Sequence, residues 1–376
     1  MRRCIRDHRG RLPANAAAPS SVARLRRGAS SISLSICRRV AFGCLLPLFA
    51  QAQEIVVGQT LSLTGPSATI AQDLLRGRQA CIDLINSQGG IRGRPLKLVT
   101  RDDRNDGVRA VQLAQDLVDR EDAAVMLGSM GPVVNAALLK WSGTNGMAVV
   151  GPYGGDIEIR VPDSGTAFFL TANQSAEAAR LASHIASLGL TRVVVVHATD
   201  KSGRAALTAL EEALGVSNVA AVALIPVNPD ASDAGVAARA VVKASAQAVL
   251  LATSGRATVA MLKSLTTATS GGLSLMQVYG FSSAASQAEL LELGAQARGF
   301  SMSQVVPLPR DTRLPMVATF QTAMRNIKGE RTYAELEGCI APLLLADVLR
   351  RKPIDLNRAG VLRAMKAAGR VNLGGF

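Results

Sequence analysis

Aromatic residues are scarce in this chain. One Trp, three Tyr and eight Phe make up 3% of 376 residues, so few rings are on hand to line a pocket. Histidine is rarer, and only His184 and His197 lie beyond residue 52. His184 sits in a helical pattern beside Ser183, and His197 ends a strand-like run two residues before Thr199-Asp200. Both are ordinary places for a histidine with no catalytic role. No GxSxG is present to make a nucleophile elbow. GxGxxG and GxxxxGK[ST] are also missing, so no loop can wrap a diphosphate. Of five cysteines, Cys4, Cys37 and Cys44 fall in the first 52 residues. Cys81 and Cys339 each lie in a helical pattern with no CxxC or His nearby. That excludes a zinc site and reads as two buried free thiols rather than a disulfide.

Charge of one sign is in surplus, and its location removes its apparent meaning. The net charge is +14, but residues 1–52 hold ten Arg and one Asp and so account for +9 of it. The mild remainder shows no basic-aromatic interleaving, which excludes nucleic acid as a partner. Arg38-Arg39 is followed by the apolar run Val40–Ala50, with small residues at Ala50 and Ala52. This reads as a secretory signal cleaved after Ala52, which would place the protein in the periplasm. The run is too short to span a bilayer, which takes about 20 residues. A twin-arginine signal at Arg38-Arg39 and a lipoprotein at Cys44 both fit less well. Residues 1–30 are long for a signal flank and read either as a basic extension or as a start codon assigned too far upstream.

Hydrophobic residues reach 48%, enough for a large core. Beyond residue 53 they fall in a regular alternation. Strand-like runs are Ile55–Gln59, Leu96–Arg101, Ala124–Gly128, Ala148–Val150, Arg192–His197, Ala220–Ile225, Ala248–Ala252, Gln277–Gly280 and Phe300–Val306. Most are continuous apolar runs, as strands buried on both faces require. Helical patterns lie behind Ser67 (Leu74, Leu75, Cys81, Ile82, Ile85), after Gly107, and near 174–187, 203–214, 233–244, 256–268 and 286–296. This alternation implies parallel sheets with right-handed crossovers. One sheet of so many units would be awkwardly large, so two doubly wound Rossmann-like α/β lobes are expected. From Leu314 to Ala368 the pattern is helix after helix. Asp102, Asp103 and Asp106, at a strand end, read as the cap of the helix beginning near Gly107 rather than a metal site, with Arg101, Arg104 and Arg109 offsetting their charge.

One set of segments carries a resemblance: TGPSA, RGRQACIDLINSQGGIRGRPLKLVTRDD, RAVQLAQDLVDREDAAVMLGSMG, VVGPYGG, GFSMSQVVPLP, YAELEGCIAPLLLADVL and VNLGGF. In this order they resemble the type I periplasmic solute-binding proteins of ABC importers, and within them the leucine/isoleucine/valine-binding group. The resemblance covers nearly all of residues 54–376. It implies a type I periplasmic binding protein fold, with two lobes joined by crossover strands near Leu170–Asn173 and Val305–Pro309. Lobe one would be 54–172 plus 308–376, and lobe two 173–307. It implies capture of a small polar ligand, an amino acid or related compound, by a monomer that serves an ABC permease in the inner membrane, with no cofactor and no catalysis. The chain stops where such proteins usually continue through strands that return to lobe two, so the final C-terminal strands are expected to be lacking. Presentation of the ligand to a membrane receptor, or a truncated or degenerate protein with no transport role, stays open as an alternative reading.

The resemblance also implies where ligand would sit. Thr64 and the Gly65-Pro66 turn fall in a cleft loop of lobe one. The loop Gly128-Ser-Met-Gly-Pro-Val-Val-Asn135 places Gly131 and Pro132 where the group holds a carboxylate, and Pro132 stands where a hydroxyl is usual. Tyr153, Gly154 and Gly155 could present backbone groups. In lobe two, Ser202 and Ser254 occupy positions that are often aromatic. Ser282 lies near the position of an acidic residue that grips an α-ammonium. The expected cleft is small, polar and lined by serine. An enzyme on the same lobes would need an acid, base or nucleophile that these Gly, Ser and Pro positions do not offer.

Overall fold

The computed structural model describes residues 53–375, apart from Pro66, residues 161–164, residues 270–275 and Lys352. The expected export segment 1–52, the three cysteines in it and Phe376 lie outside the described residues. β1 (Ile55–Leu61) is buried almost end to end because its run of β-branched residues is covered on both faces. It lies between β2 (Leu96–Asp102) and β3 (Val125–Leu127), and β4 (Val149–Val150) and β5 (Ala167–Phe168) extend the sheet. The order is β2-β1-β3-β4-β5, all parallel. The second sheet is built from β6 (Val193–Ala198), β7 (Ala221–Val227), β8 (Ala248–Ala252), β9 (Gln277–Gly280) and β10 (Phe300–Met302). Its order, β10-β9-β8-β6-β7, is the same winding repeated. The chain therefore forms two doubly wound α/β lobes, each with a topological switch point beside its first strand.

Helices cover both faces of each sheet. α1 (Ala68–Ser87), α10 (Tyr333–Arg351) and α11 (Arg358–Lys366) cover one face of the first sheet, and Ile82, Ile85, Leu345, Leu349 and Val361 are buried there. α2 (Gly107–Glu121) and α3 (Pro132–Asn145) cover the other, around Leu117, Leu138 and Trp141. In the second lobe α4 (Gln174–Ser187) and α5 (Lys201–Val216) pack on one face. α6 (Ala234–Lys243) and α7 (Arg256–Ala268) pack on the other. α8 (Gln287–Leu293) precedes β10, and its Ser286 and Glu289 form a capping box. α9 (Pro315–Met324) returns to α1 and shares a core with it and α10 through Phe320, Leu336 and Ile340.

Three readings of the sequence need correction. Cys81 and Cys339 are not free thiols: they form a disulfide, with Cα atoms 5.4 Å apart and a sequence separation of 258. Its cause is the close approach of α1 and α10. A Cβ on Gly77 would meet the Glu335 carbonyl oxygen at 1.9 Å, and one on Gly338 would meet that of Leu74 at 2.4 Å. With glycine at both contacts the helices close up, and the cysteines, one turn beyond Gly77 and Glu335, come within bonding reach. Second, the run Phe300–Val306 is a strand only to Met302; the Ser303 N–H still donates to the Gly280 carbonyl at the end of β9, and the chain leaves the sheet after it. Third, Pro132–Asn135 is not loop but the first turn of α3, with Pro132 at its first helical position. Apolar residues fall all round α3, so the sequence shows no single apolar face there.

Candidate functional site

In open α/β sheets, ligands bind outside the carboxyl ends of the strands at the switch point. In the first lobe that place is bordered by the segments after β1, β2, β3 and β4. Two aspartates knit them together. Asp103 is fully buried and accepts from Ser62 Oγ at 2.7 Å, Ser129 Oγ at 2.9 Å and the Asn105 N–H at 2.9 Å. Asp102 accepts from the Leu63 N–H at 3.0 Å and Thr64 Oγ1 at 2.8 Å. Burial opposes its charge, but the hydrogen bonds led by Thr64 hold its carboxyl below the usual value. Asp106 caps α2, accepting from the N–H groups of Val108 and Arg109. The capping expectation thus holds for Asp106, while Asp102 and Asp103 serve the loops. Among the described residues no group of His, Cys, Asp and Glu could hold a metal ion.

Arg78 ties the next two segments from below. It projects from α1, is 1% exposed, and donates to Gln59 Oε1 and the Gly128 carbonyl, both at 2.7 Å, and to that of Gly151 at 3.4 Å. Burial pushes its guanidinium down to about 9, which leaves it charged at neutral pH. The loops after β3 and β4 then touch: a Cβ on Gly128 would lie 2.3 Å from the Pro152 backbone. The Tyr153 N–H donates to the Ser129 carbonyl, and Asn135 Nδ2 donates to the Tyr153 carbonyl at 3.1 Å. Asn135 Oδ1 is buried with no hydrogen-bond partner. The Tyr153 side chain packs with Leu61, Leu74 and Met130, and burial pushes its hydroxyl far above the ordinary range.

Thr64, Gly131, Pro132, Tyr153, Gly154 and Gly155 therefore gather at the carboxyl end of the first sheet. Gly131 (φ 79°) and Gly154 (φ 118°) adopt the left-handed conformations that favour glycine. The side chains contribute less than expected. The Thr64 hydroxyl is spent on Asp102, and Pro132 offers no N–H. Beyond Gly155 the segment reaches the second lobe. Ile157 packs against the core beneath α4 and α5, the Asp156 carboxyl lies near Ser202, and Glu158 pairs with Lys201 at 2.6 Å. Ser202 and Lys201 form the first turn of α5, which Asp200 caps. Segments at the carboxyl ends of both sheets thus meet.

The other two serines differ. Ser254 is exposed after β8. The Ser282 N–H is held by Glu177 Oε2 at 2.7 Å, and the same oxygen accepts from Ser303 Oγ at 2.6 Å. Glu177 is 4% exposed in the first turn of α4. On its other side, a groove of about 470 Å³ between α4 and β10 is lined by Glu177, Arg180, His184, Tyr279 and Ser303. No motif in the sequence marked Arg78, Asp156, Arg160, Glu177 or Glu337. Arg160 clasps the first crossover, donating to the carbonyls of Thr171 at 2.8 Å and of Ala172 and Gly154 at 3.2 Å, with its guanidinium 4.6 Å from the centre of the Phe169 ring. Glu337, on α10, accepts from Thr171 Oγ1 at 3.4 Å. Burial pushes its carboxyl up to about 7, against the pull of Thr171, Arg78 and Arg160, while Glu177 adds to the rise.

The architecture and sequence have counterparts. An extracellular ligand-binding receptor from Verminephrobacter eiseniae is 28% identical, superposes with a TM-score of 0.78, and is matched over 86% of this chain and 92% of its own. A substrate-binding periplasmic protein from Ralstonia solanacearum, 24% identical with a TM-score of 0.75 over 86% of this chain and 91% of its own, shares the fold. An amino acid binding protein of Pseudomonas aeruginosa is 35% identical over 75 residues, 20% of each chain, so the match spans a fifth of that relative. A Leu/Ile/Val-binding protein homolog of Brucella melitensis is 28% identical over 88 residues, 23% of this chain and 24% of its own. Residues 54–376 match the family model described as periplasmic binding protein, and the chain belongs to that family.

Proposed function

We propose that the protein is exported to the periplasm, captures a small polar ligand between its lobes and delivers it to an ABC permease of the inner membrane. The observation that carries this reading is the meeting of the carboxyl-end segments of the two sheets, at Asp156 with Ser202 and Glu158 with Lys201. Contacts spread over two lobes let a ligand favour one hinge state over another, and that difference is the signal a permease reads. An amino acid is the favoured ligand class. The Pseudomonas relative is named for amino acids and the Brucella relative for leucine, isoleucine and valine. Geometry supports a carboxylate at the start of α3, where no side chain caps the helix and positive dipole is left for an anion. The buried disulfide supports export, since such bonds persist in oxidising compartments. Lobe one as 54–172 plus 308–376 and lobe two as 173–307, acting as a monomer, complete the proposal.

A thermal-shift screen of the purified protein against L-amino acids, amides, simple carboxylates and aromatic acids tests it. A ligand at 100 times its Kd adds about 2.7 kcal/mol and raises Tm by several degrees. A folded sample that no compound stabilises would rule the capture reading out.

A further inference from the structure

The carboxylates around the crossover differ in how far their needs are met. Glu177 accepts two short hydrogen bonds, and Glu335 is held by Arg76 at 2.9 Å and by the Thr332 N–H. Glu337 has one long contact, 3.4 Å from the Thr171 hydroxyl. Two cations stand near it, Arg78 from α1 and Arg160 from the segment after β4, but among the described residues neither forms an ion pair with it. Their terminal N–H groups are directed elsewhere: those of Arg78 to Gln59 and the Gly128 and Gly151 carbonyls, those of Arg160 to the Gly154, Thr171 and Ala172 carbonyls, while the Nε–H of each is buried without a hydrogen-bond partner and bonds neither Glu337 nor any other described group. The residue keeps part of its surface open where α10, the first crossover and the loop after β4 converge. A carboxylate so placed lacks hydrogen-bond donors, and a desolvated anion without them is costly.

We propose that Glu337 is the anchor for a positively charged group on the ligand, an ammonium in the case of an amino acid. This deepens the capture reading and rests on it. A primary ammonium brings up to three N–H donors to a carboxylate that has one distant donor of its own. The groups facing Glu337 are Arg78, Arg160, Glu177 and the Tyr153 hydroxyl, two cations against one other anion, so an occupying cation must form its own direct hydrogen bonds to overcome the arginines. A zwitterion does so with its carboxylate directed to the start of α3, away from Glu337. The free protein holds a proton on Glu337 below about pH 7, and the ligand must displace it. Affinity for an amine therefore rises with pH while the amine stays protonated.

The test is calorimetric titration of the purified protein and of Glu337→Gln with L-leucine, L-serine and their deaminated counterparts, 4-methylpentanoate and 3-hydroxypropanoate, at pH 6 and pH 8. The expected result is that an amino acid binds the parent protein at least tenfold tighter than its deaminated counterpart, with the margin wider at pH 8. In Glu337→Gln that preference and its pH dependence disappear. Equal preference in parent and variant overturns the role of Glu337 and leaves capture standing. Deaminated acids that bind the parent as well as amino acids do also overturn it, and identify an anion site instead. If neither the screen of diverse compounds nor this titration finds a ligand for the folded parent, capture itself fails and Glu337 with it. Circular dichroism of the variant keeps a folding defect from passing as lost recognition.

Discussion

Arg78 holds the carbonyl oxygen of Gly128 at 2.7 Å from beneath the cleft, so a charge carried by the first helix fixes the loop after the third strand. Replacing it by Leu removes the donor to Gly128 and Gln59 together and strands both acceptors. Each buried group left without a partner costs about 1 to 3 kcal/mol. Arg78→Leu is expected to lower stability by about 3 kcal/mol in urea unfolding and to shrink any ligand-induced thermal shift. A loss below about 1 kcal/mol would mean the loops hold themselves.

Gly128 faces the Pro152 backbone, with no room for a methyl group. Gly128→Ala forces the third and fourth loops apart, at a cost of about 2 kcal/mol or more since the neighbour is backbone. Ligand affinity should fall along with Tm. An unchanged Tm would show that the loops separate freely.

The Cys81–Cys339 disulfide closes a long loop. A bond closing more than 100 residues restrains the unfolded chain by roughly 4 to 5 kcal/mol in the chain-entropy account, of which part is usually realised. The double variant Cys81→Ala, Cys339→Ala should unfold at lower urea than the oxidised protein by about 2 to 5 kcal/mol. Matching curves for the two proteins would contradict the bond's structural role.

Glu337 makes stability depend on pH in a stated direction. Its folded value is about 7, above the 4.5 of the unfolded chain, so between these values the folded state binds the proton more tightly. The stabilisation is complete below about 4.5 and is lost as pH rises through 7. Glu337→Gln removes the charge that burial disfavours. It should be more stable than the parent at pH 8, by on the order of 2 kcal/mol, with the advantage shrinking toward pH 5. Melting curves across this range check it, and an advantage that grew toward acid would have the wrong sign.

The elements of the fold were legible where a period or a run was long. Ala248–Ala252 is apolar throughout and is a strand to the residue, and the helix at 256–268 has its expected bounds. Where physics left no period, the reading failed. β5 is two residues long, α3 is apolar on every side, and β10 stops at Met302, beyond which the Ser303 hydroxyl bonds Glu177. The disulfide was hidden because nothing local says that Gly77 and Gly338 each serve another helix's backbone. At the cleft, small residues at the strand ends were readable as loop signals. Arg78, Arg160, Glu177 and Glu337 were not, because each looks in sequence like a surface charge on a helix or loop. Only tertiary packing turns them inward, against the loops at the carboxyl ends of the strands and the first crossover.

The disulfide also has a consequence in time. Its two cysteines lie on either side of the whole second sheet in the chain, so the second lobe is spliced, topologically, into the first. As the polypeptide emerges from N- to C-terminus, the second lobe has all its strands in hand while the first still lacks α9, α10 and α11. Cys81 must wait as a thiol until Cys339 arrives 258 residues later. The lobe that begins first is the one that can be completed only last.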